Sequence, residues 1–470
     1  MVFSSAVFLY LFLPVVLGVY FLLPRSSSTT MRNTWLLVAS YGFYAWGNWM
    51  YLPLLLGSTL VDFYCARRID SDRSQKQRKA FLWISILANI GVLFWFKYLG
   101  LFATSYQYLI GGIDASLLMW ASSIALPVGI SFYTFQSMSY TIDVYRREVK
   151  SSHNFLNFAT YVALFPQLVA GPIVRYKEIS KELVERRESS KMIALGIGIF
   201  VLGLSKKVLL ANPCGWVADQ AFDASVLDAA TAWVGLLAYG MQIYFDFSGY
   251  SEMAIGLGAM FGFKFPRNFN APYLASSVTD FWRRWHITLG AWLRDYVYIP
   301  LGGSRAGMVR TVLSLMAVML IAGLWHGAMW GFVIWGGLHG VMLVVERLLG
   351  CDGDAQGKLG RVFRILFTFV IVQLLWVFFR ADSVDLALQY YAALFDFSYL
   401  GSSASSLLVM RSEVFVLLGI SLCVVLLGGS VRVCLLKRSV VSSWVVIALF
   451  LLCLAVLSEQ SHNPFIYFRF

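Results

Sequence analysis

Two histidines stand in a stretch that is otherwise aliphatic, aromatic and glycine, AGLWHGAMWGFVIWGGLHG, running from residue 322 to residue 340. Imidazole changes protonation near neutral pH, so a histidine can accept a proton from a reacting group. Its polar ring is costly in apolar surroundings unless a partner or a cavity is supplied. From the residues alone, His326 and His339 are consistent both with helix packing and with proton-transfer chemistry.

The spacing of the two histidines limits what they can do together. On one straight helix, thirteen residues correspond to about 220° of net rotation and a rise of about 20 Å. His326 and His339 would then lie on nearly opposite sides, unable to share a metal ion or one depth of a cavity. We therefore expect one to be functional and the other to support it or pack. Close helix contact is favoured by two glycine pairs at a spacing of four: Gly323 with Gly327, and Gly336 with Gly340.

A third histidine, His286, lies in FWRRWHITLGAWLRD among arginines and tryptophans. One interpretation is an interfacial belt, with aromatic rings and guanidinium groups at headgroup level. The other is a mouth that attracts an anionic carrier, where arginines bind phosphate or carboxylate. Both interpretations stay open at this point. The residues concerned are Arg283, Arg284, Arg294, Trp282, Trp285 and Trp292.

An acidic cluster follows another aromatic run, QIYFDFSGYSEMAIGLG, in which Asp246 precedes Ser248, Ser251 and Glu252. No G-x-S-x-G sequence exposes a nucleophilic serine, so we expect an interior polar cluster facing a water-filled cavity. None of the five histidines stands at a metal-ligand spacing, and no metal site is predicted. The six cysteines are scattered and predict no disulfide framework.

Composition places these residues in a membrane. The chain has 470 residues, 59% of them hydrophobic and 13% charged, with a mean hydropathy of +0.70. Soluble domains carry about 25% charged residues. The net charge of +12 is better explained by cationic loops that orient a membrane protein than by nucleic-acid binding. The loop RRIDSDRSQKQRK, residues 67–79, is the best cytoplasmic marker.

Apolar runs long enough to cross about 30 Å of hydrocarbon recur along the whole chain. We expect roughly eleven full spans, with the remaining candidates as half-spans or re-entrant pieces. The longer runs are near 2–23, 80–103, 156–174, 192–211, 311–324, 328–349, 362–380, 413–436 and 441–458. Shorter candidates are near 34–48, 51–66, 118–136, 229–247 and 251–263.

Two segments are expected to interrupt this pattern. Pro166 and Gly171-Pro172 break the apolar run FPQLVAGPIVRY, which predicts either a cavity lining or a helix end. Within the polar and aromatic stretch from residue 265 to residue 310, the amphipathic segment from Ser277 to Tyr298 suits an interfacial or folded-back position, with Ser277 or Thr279 as a helix N-cap. Gly302, Gly303 and Gly307 then mark a turn.

Several long motifs, in order, resemble the membrane-bound O-acyltransferase family, and within it the bacterial exopolysaccharide branch that acetylates alginate or cellulose. They are MVFSSAVFLYLFLP, LPVGISFYTFQSMSYTIDVYR, FPQLVAGPIVRYKE, QIYFDFSGYSEMAIGLG, FWRRWHITLGAWLRDYVYIPLGG, GLWHGAMWGFVIWGGLHG and the closing NPFIYFRF. The resemblance covers nearly all of the chain, with core motifs at about 126–340. It implies one integral membrane domain, residues 1–470.

The resemblance implies an all-α polytopic fold, a ring of helices around a funnel that narrows to a tunnel. It assigns His326, in Trp-His-Gly, as the catalytic histidine and His286 as a second catalytic residue, and it leaves the role of His339 open. We expect the remaining site residues to line the tunnel: Arg283, Arg284, Trp285, Asp246, Trp325 and His339.

The implied reaction is acetyl transfer from a thioester, acetyl-CoA, without a bound cofactor. Acetyl-CoA is cytosolic whereas the polysaccharide is modified outside the bacterial inner membrane, and the chain has no soluble domain to hold a polymer. A periplasmic acetyltransferase and secretion proteins are therefore the expected partners. A transporter and a scaffold of a secretion complex are the alternatives, although no duplicated halves are visible.

Overall fold

The computed structural model describes residues 1–24, 29–71, 73–224, 227–350, 357–398, 411–436 and 439–459. Every regular element in these ranges is helical, as expected for an all-α membrane protein. Cys351, His462 and the closing NPFIYFRF motif lie outside the described residues, as does the side chain of Cys434. The thiols of Cys65, Cys214, Cys423 and Cys453 are free.

The described chain forms two compact units, residues 1–200 with 253–266, and residues 201–252 with 267–470. The first ten helices belong to unit 1: α1 (Leu13–Leu22), α2 (Thr29–Asn48), α3 (Leu52–Asp70), α4 (Gln75–Leu93), α5 (Leu99–Leu109), α6 (Ala115–Ser122), α7 (Ile130–Tyr145), α8 (Phe155–Ala163), α9 (Phe165–Leu168) and α10 (Tyr176–Val184). Two helices have residues in both units: α11 (Ser190–Ser205) and α13 (Ala229–Met260).

The remaining helices belong to unit 2: α12 (Asn212–Phe222), α14 (Val278–Arg284), α15 (Ile287–Leu293), α16 (Met308–His326), α17 (Trp330–Leu349), α18 (Lys358–Arg380), α19 (Val384–Leu394), α20 (Ser412–Leu436) and α21 (Val440–Glu459). Four π-helical segments interrupt or extend helices: Phe8–Phe12, Phe94–Tyr98, Lys206–Ala211 and Arg294–Tyr298. Two short 3₁₀ turns complete the described elements: Trp49–Tyr51 and Pro272–Leu274.

Eight helical stretches of the described chain are long and apolar enough to cross a membrane, so the chain is a multi-pass membrane protein. They are Thr29–Asp70, Gln75–Leu109, Ser190–Phe222, Met308–His326, Trp330–Leu349, Lys358–Arg380, Ser412–Gly429 and Val440–Glu459. The count of eleven spans, and the ring and funnel, stay predictions.

Three of the predicted apolar runs differ in the structure. The run near 156–174 is not one helix, because α8 ends at Ala163 and α9 holds only four residues around Pro166. Proline lacks the N–H that would continue the helix, so the predicted break at this site is confirmed. Conversely, the runs near 229–247 and 251–263 form one helix of 32 residues, α13. The polar residues between them, Ser248 and Ser251, do not interrupt it.

A buried polar network fixes the end of α10 within unit 1. The guanidinium of Arg186 donates to the hydroxyl of Tyr20 at 3.1 Å and to the side chain of Asn33 at 2.9 Å. Glu188 accepts hydrogen bonds from Tyr20 and from Arg32, at 2.5 Å and 2.6 Å. The two arginines and the glutamate are thus joined by ion pairs and hydrogen bonds away from water. Charged groups inside a membrane protein need partners of this kind.

In unit 2, glycines let α16 and α17 pack backbone against backbone. A Cβ atom on Gly336 would lie 2.3 Å from the carbonyl oxygen of Met319 and 3.2 Å from the Cα of Gly323. A Cβ on Gly323 would lie 2.2 Å from the carbonyl oxygen of Phe332. Small residues at such crossings are typical of membrane helix pairs. The predicted close contacts between helices are therefore confirmed for Gly323, Gly336 and Gly340. Gly327 is instead the C-cap of α16, where an added Cβ would meet the ring of Phe332.

The middle of α13 carries a buried ion pair. Nζ of Lys207, from the π-helical segment after α11, lies 2.8 Å from a carboxylate oxygen of Asp246, and each side chain is at most 2% exposed. A second pair, Lys206 with Glu252, is also 2.8 Å long. A π-helical turn shifts the following side chains relative to a regular helix, which places both lysines against α13. Asp246 is thus paired with a cation in the protein interior, and the water-filled cavity expected beside it stays a prediction.

We expect Gly336→Ala to destabilise the α16–α17 pair by about 1–3 kcal/mol, because the added methyl must displace main-chain atoms. Gly337→Ala is the matched control, since its Cβ would meet only Leu320 Cδ2, at an ordinary 3.6 Å. Thermal unfolding in detergent, followed by size-exclusion chromatography, measures both variants. Equal melting temperatures for the two would contradict the close contact.

Replacing Lys207 by Met leaves the carboxylate of Asp246 buried without its cation. Breaking such a pair costs about 3–5 kcal/mol, whereas removing both charges is much less costly. We therefore expect Lys207→Met to lower the melting temperature sharply and the double variant Lys207→Met with Asp246→Leu to recover most of it. A double variant no more stable than Lys207→Met would contradict this account.

Candidate active site

His326 is the last residue of α16 and is enclosed by aromatic rings of unit 2. Its ring centroid lies 5.1 Å from Trp325, 5.3 Å from Trp335 and 5.1 Å from Phe379, each in a steep edge-to-face arrangement. The ring of His286 lies 6.4 Å away. His326 is only 4% exposed. The structure therefore brings the two histidines predicted to be catalytic into one enclosed cluster, together with the predicted Trp325.

His286 is held in an unusual backbone conformation between α14 and α15. Its φ is 44° and its ψ is 53°, in the left-handed region that a residue other than glycine seldom adopts. Its ring is fully buried, 4.7 Å from Phe247 and 5.6 Å from Trp325. Burial lowers the pKa of His286 to about 3, so its ring is neutral at physiological pH. Strained backbone of this kind often marks functional sites.

His339 is fully buried on α17 and meets the same tryptophan as His326. The indole Nε1–H of Trp282 donates to Nδ1 of His339 at 3.3 Å. The ring of Trp335 lies 4.9 Å from His339 and 5.3 Å from His326. The limit derived for one straight helix is wrong here, because the chain turns at Gly327 between α16 and α17. A supporting role for His339 stays a prediction.

A cavity of about 510 Å³ opens beside α16 in unit 2. Three exposed arginines contribute to its lining, Arg283, Arg294 and Arg347, together with Trp282. Its wall follows one face of α16 through Thr311, Leu315, Met319 and Ala322. Residues at spacings of three and four share a helix face. His326, four residues after Ala322, continues that face.

The other predicted tunnel residues lie elsewhere. Arg284 does not line this cavity; its Nε donates to Asp280 one turn earlier, at 2.8 Å. Trp285 packs into the aromatic core, 5.2 Å from Trp376 and 5.5 Å from Phe281. Asp246 is ion-paired with Lys207. Whether any of these three contributes to the reaction stays a prediction.

The segment between residues 265 and 310 folds largely as expected. The hydroxyl of Ser277 accepts a hydrogen bond from the N–H of Asp280, so Ser277 rather than Thr279 is the N-cap of α14. The carboxylate of Glu346 of α17 accepts hydrogen bonds from the backbone N–H groups of Val278 and Thr279, at 2.6 Å and 2.8 Å. The predicted turn is confirmed by positive φ at Gly302, Gly303 and Gly307. Helices α14 and α15, at seven residues each, are too short to span.

Sequence reasoning missed Lys207, Asn268, Phe379 and Arg347. A lysine inside an apolar run is itself a signal, because an intramembrane charge needs a partner, and it identifies Lys207 in GLSKKVLLAN. Nothing local marks the other three, whose partners come from distant parts of the sequence. Among the described residues, no three His, Cys, Asp or Glu side chains are grouped to hold a metal ion.

The cluster has the groups that acyl transfer needs. A neutral imidazole can accept the proton of an attacking hydroxyl, and buried N–H donors can stabilise a developing oxyanion. The indole N–H of Trp335 is one such donor, since no acceptor for it exists among the described residues. An arginine-lined cavity suits a carrier that bears phosphate. The arrangement is therefore that of a buried acid–base site with a cationic approach.

Comparison with known proteins identifies the family of the chain. The profile of MBOAT, the membrane-bound O-acyltransferase family, matches residues 136–350. The chain is 44% identical over 399 residues to the probable alginate O-acetylase AlgI of Azotobacter vinelandii, covering 84% of this chain and 78% of the relative. It is 39% identical to the AlgI of Pseudomonas putida over the whole of both chains. A peptidoglycan O-acetyltransferase of Helicobacter pylori is 38% identical, over 83% of this chain and 79% of the relative.

These similarities extend beyond the motifs to most of the chain's length. They confirm the predicted family and the predicted enzyme class, and they give no support to a transporter or a scaffold without acyl chemistry. The chain belongs to the membrane-bound O-acyltransferase family and is a multi-pass membrane O-acyltransferase.

Proposed function

We propose that the chain takes an acetyl group from cytoplasmic acetyl-CoA and passes it through the bacterial inner membrane for O-acetylation of a secreted polysaccharide. The observation that carries this proposal is the position of His326 about one turn beyond Ala322, the last residue of α16 that lines the arginine cavity. The names of the relatives, alginate O-acetylases, favour alginate as the polymer. No relative reported above supports cellulose.

The proposed direction of transfer is based on the charges at the ends of α16, α17 and α18 and on the length of α16. Arg310 at the start of α16, Arg347 at the end of α17, and Lys358 and Arg361 at the start of α18 give one end of these helices a positive charge. Positive loops face the cytoplasm, so the arginine cavity would open there. The 19 residues of α16 correspond to about 28 Å, close to the thickness of the hydrocarbon. A donor whose phosphates bind the arginines would extend its acetyl thioester along α16 to His326, so the acetyl group would cross most of the membrane while still bound to its carrier.

In the chemical step, His326 acts as the general base that takes the proton of the acceptor hydroxyl. The hydroxyl oxygen then attacks the acetyl carbonyl, and the thiolate of the donor leaves. The partial negative charge at the C-terminal end of α16 stabilises the imidazolium that forms. Trp335 Nε1–H donates a hydrogen bond to the oxyanion. Binding the donor requires no cofactor from the protein, only cationic side chains.

A partner is needed to deliver the group to polymer. No described segment forms a soluble domain able to hold a polysaccharide, so a periplasmic acetyltransferase would receive the acetyl group on the far side. Exopolysaccharide synthesis and secretion proteins would complete the assembly. Supplying this chain alone with acetyl-CoA and polymer, and then adding the partner, tests that division of work. Full acetylation by the chain alone would contradict it.

We expect His326→Ala to lower acetylation of the secreted polymer by about 10²–10⁴-fold, the range of a lost general base. Membrane abundance should be retained, because His326 ends a helix rather than crossing its interior. His153→Ala is the control, since His153 is exposed and lies outside the cluster. Labelled acetate in secreted polysaccharide, normalised to protein abundance, measures both. Normal labelling in His326→Ala would exclude this site.

Removing an arginine from the cavity should weaken donor binding. A hydrogen bond to a charged group contributes about 1.5–3 kcal/mol, so Arg283→Ala or Arg347→Ala should raise KM for acetyl-CoA by at least tenfold, with kcat little changed. The effect should shrink at high salt, which already screens the wild type. Arg305→Ala, an exposed arginine that does not line the cavity, serves as the control. Equal KM values for all variants would contradict the proposal that the cavity arginines bind the donor.

A further inference from the structure

We propose that Asn268 is a positioning residue that fixes the tautomer of His286, leaving Nε2 of that ring as a hydrogen-bond acceptor in the site. Oδ1 of Asn268 lies 3.1 Å from Nδ1 of His286. The same oxygen accepts from the backbone N–H of Thr288 at 3.2 Å and from its hydroxyl at 3.0 Å. All three side chains are buried. One amide oxygen thus organises the whole turn that carries His286.

The identity of the amide atom facing Thr288 is fixed by chemistry. A backbone N–H can only donate, so the amide atom opposite it must be the oxygen. Reversing the amide of Asn268 would set its NH₂ group against that N–H. The oxygen in turn can only accept, and Nδ1 of His286 must therefore carry the proton. Neutral imidazole has one N–H, so Nε2 of His286 bears the lone pair.

The backbone supports the same arrangement. The N–H of Ile287 donates to the main-chain carbonyl of Asn268 at 2.9 Å, and the N–H of Asn270 donates to the carbonyl of Arg284 at 2.9 Å. These two bonds pair the segment around Asn268 with the left-handed turn at His286. The side-chain bond from Asn268 then sets the ring within that turn. Conformation and tautomer of His286 therefore depend on one residue.

The free acceptor is placed where the reaction needs one. No described residue donates to Nε2 of His286, although the ring is fully buried. A buried acceptor of this kind calls for a water molecule or a substrate group. The neighbouring rings are Phe247, Trp325 and His326. His326 is the titratable one. Because the single proton of the acceptor hydroxyl goes to His326, Nε2 of His286 would accept a hydrogen bond from a water molecule bound beside His326.

His339 has the complementary form. Trp282 donates to its Nδ1, so the proton of neutral His339 resides on Nε2, which is thereby a donor. Neighbouring side chains thus fix opposite tautomers of the two buried histidines. The amide oxygen of Asn268 fixes that of His286, and the indole N–H of Trp282 fixes that of His339. The proposal concerns Asn268 and His286 alone, and it rests on the proposed role of the His286–His326 cluster in acetyl transfer.

The test is a double-mutant cycle on acetyl transfer from [¹⁴C]acetyl-CoA in membranes containing the full chain and its partner. Asn268→Leu keeps the volume and removes the hydrogen bonds. We expect it to lower kcat at least tenfold, the usual effect of losing the residue that orients a functional histidine, with KM for acetyl-CoA unchanged. In a His286→Ala background, Asn268→Leu should cause no further loss, because residues that act as a unit are not additive.

The control is Asn270→Leu, the same substitution two residues along the same loop at an exposed side chain, which should leave activity unchanged. A full additional loss in the His286→Ala background would show that Asn268 acts structurally and would overturn the proposal. So would normal kcat in Asn268→Leu. If His286→Ala and His326→Ala both keep wild-type activity, the proposed function fails instead, and the two failures are distinguishable.

Asn268→Asp covers the case in which Asn268→Leu does not fold. A carboxylate still accepts from Nδ1 of His286 and from Thr288, so kcat should be recovered above neutral pH. The negative charge favours the imidazolium and raises the pKa of His286. Because neutral His286 is the active form, the acid limb of kcat should move to higher pH. The titratable group that faces His286 is His326. A pH profile of kcat that is unchanged in Asn268→Asp would overturn the proposal.

Discussion

The crossing of α16 and α17 at Gly323 and Gly336 is the contact on which the site depends. Where a side chain would separate the two helices, glycine allows main chain to meet main chain. That approach puts Trp335 of α17 against the ring of His326 and against the ring of His339. Helix association in lipid relies on such packing, since water expulsion contributes little there. The aromatic enclosure of His326 is therefore a consequence of two missing side chains.

A second constraint is that polar groups within a membrane protein must be satisfied internally. Unit 2 meets it in two ways. The charges of Lys207 and Asp246 cancel one another, while the ring of His286 is oriented by the amide of Asn268. The first arrangement balances two buried charges within the protein. The second leaves one acceptor atom without a described donor, so this atom can bind a water molecule or a substrate N–H or O–H group.

Much of this could be predicted from sequence because the signals are local. Low charge and repeated apolar runs predicted a helical membrane protein, and His326 and His286 were identified by the motifs around them. The geometry expected for His326 and His339 assumed one straight helix, and it is wrong because the chain turns at Gly327. Phe379 and Asn268 could not be placed, because their contacts with the histidines join residues far apart along the chain. Arg284 and Arg283 were both predicted to line the tunnel. The hydrogen bond from Arg284 to Asp280 could have been predicted instead, because the two residues are four apart on a helix.

The central proposal is that a cytoplasmic cavity leads along α16 toward His326, and thiol labelling of Val318→Cys, a partly exposed lining residue, in a chain without other cysteines tests it most directly. A charged, membrane-impermeant reagent would be applied to inverted vesicles and to spheroplasts, with Arg305→Cys, an exposed position before α16 that does not line the cavity, for comparison. The account predicts labelling of residue 318 from the cytoplasmic side, slowed by acetyl-CoA, and no such protection at residue 305. Labelling of residue 318 only from the periplasmic side, or at a rate that acetyl-CoA does not change, would contradict it.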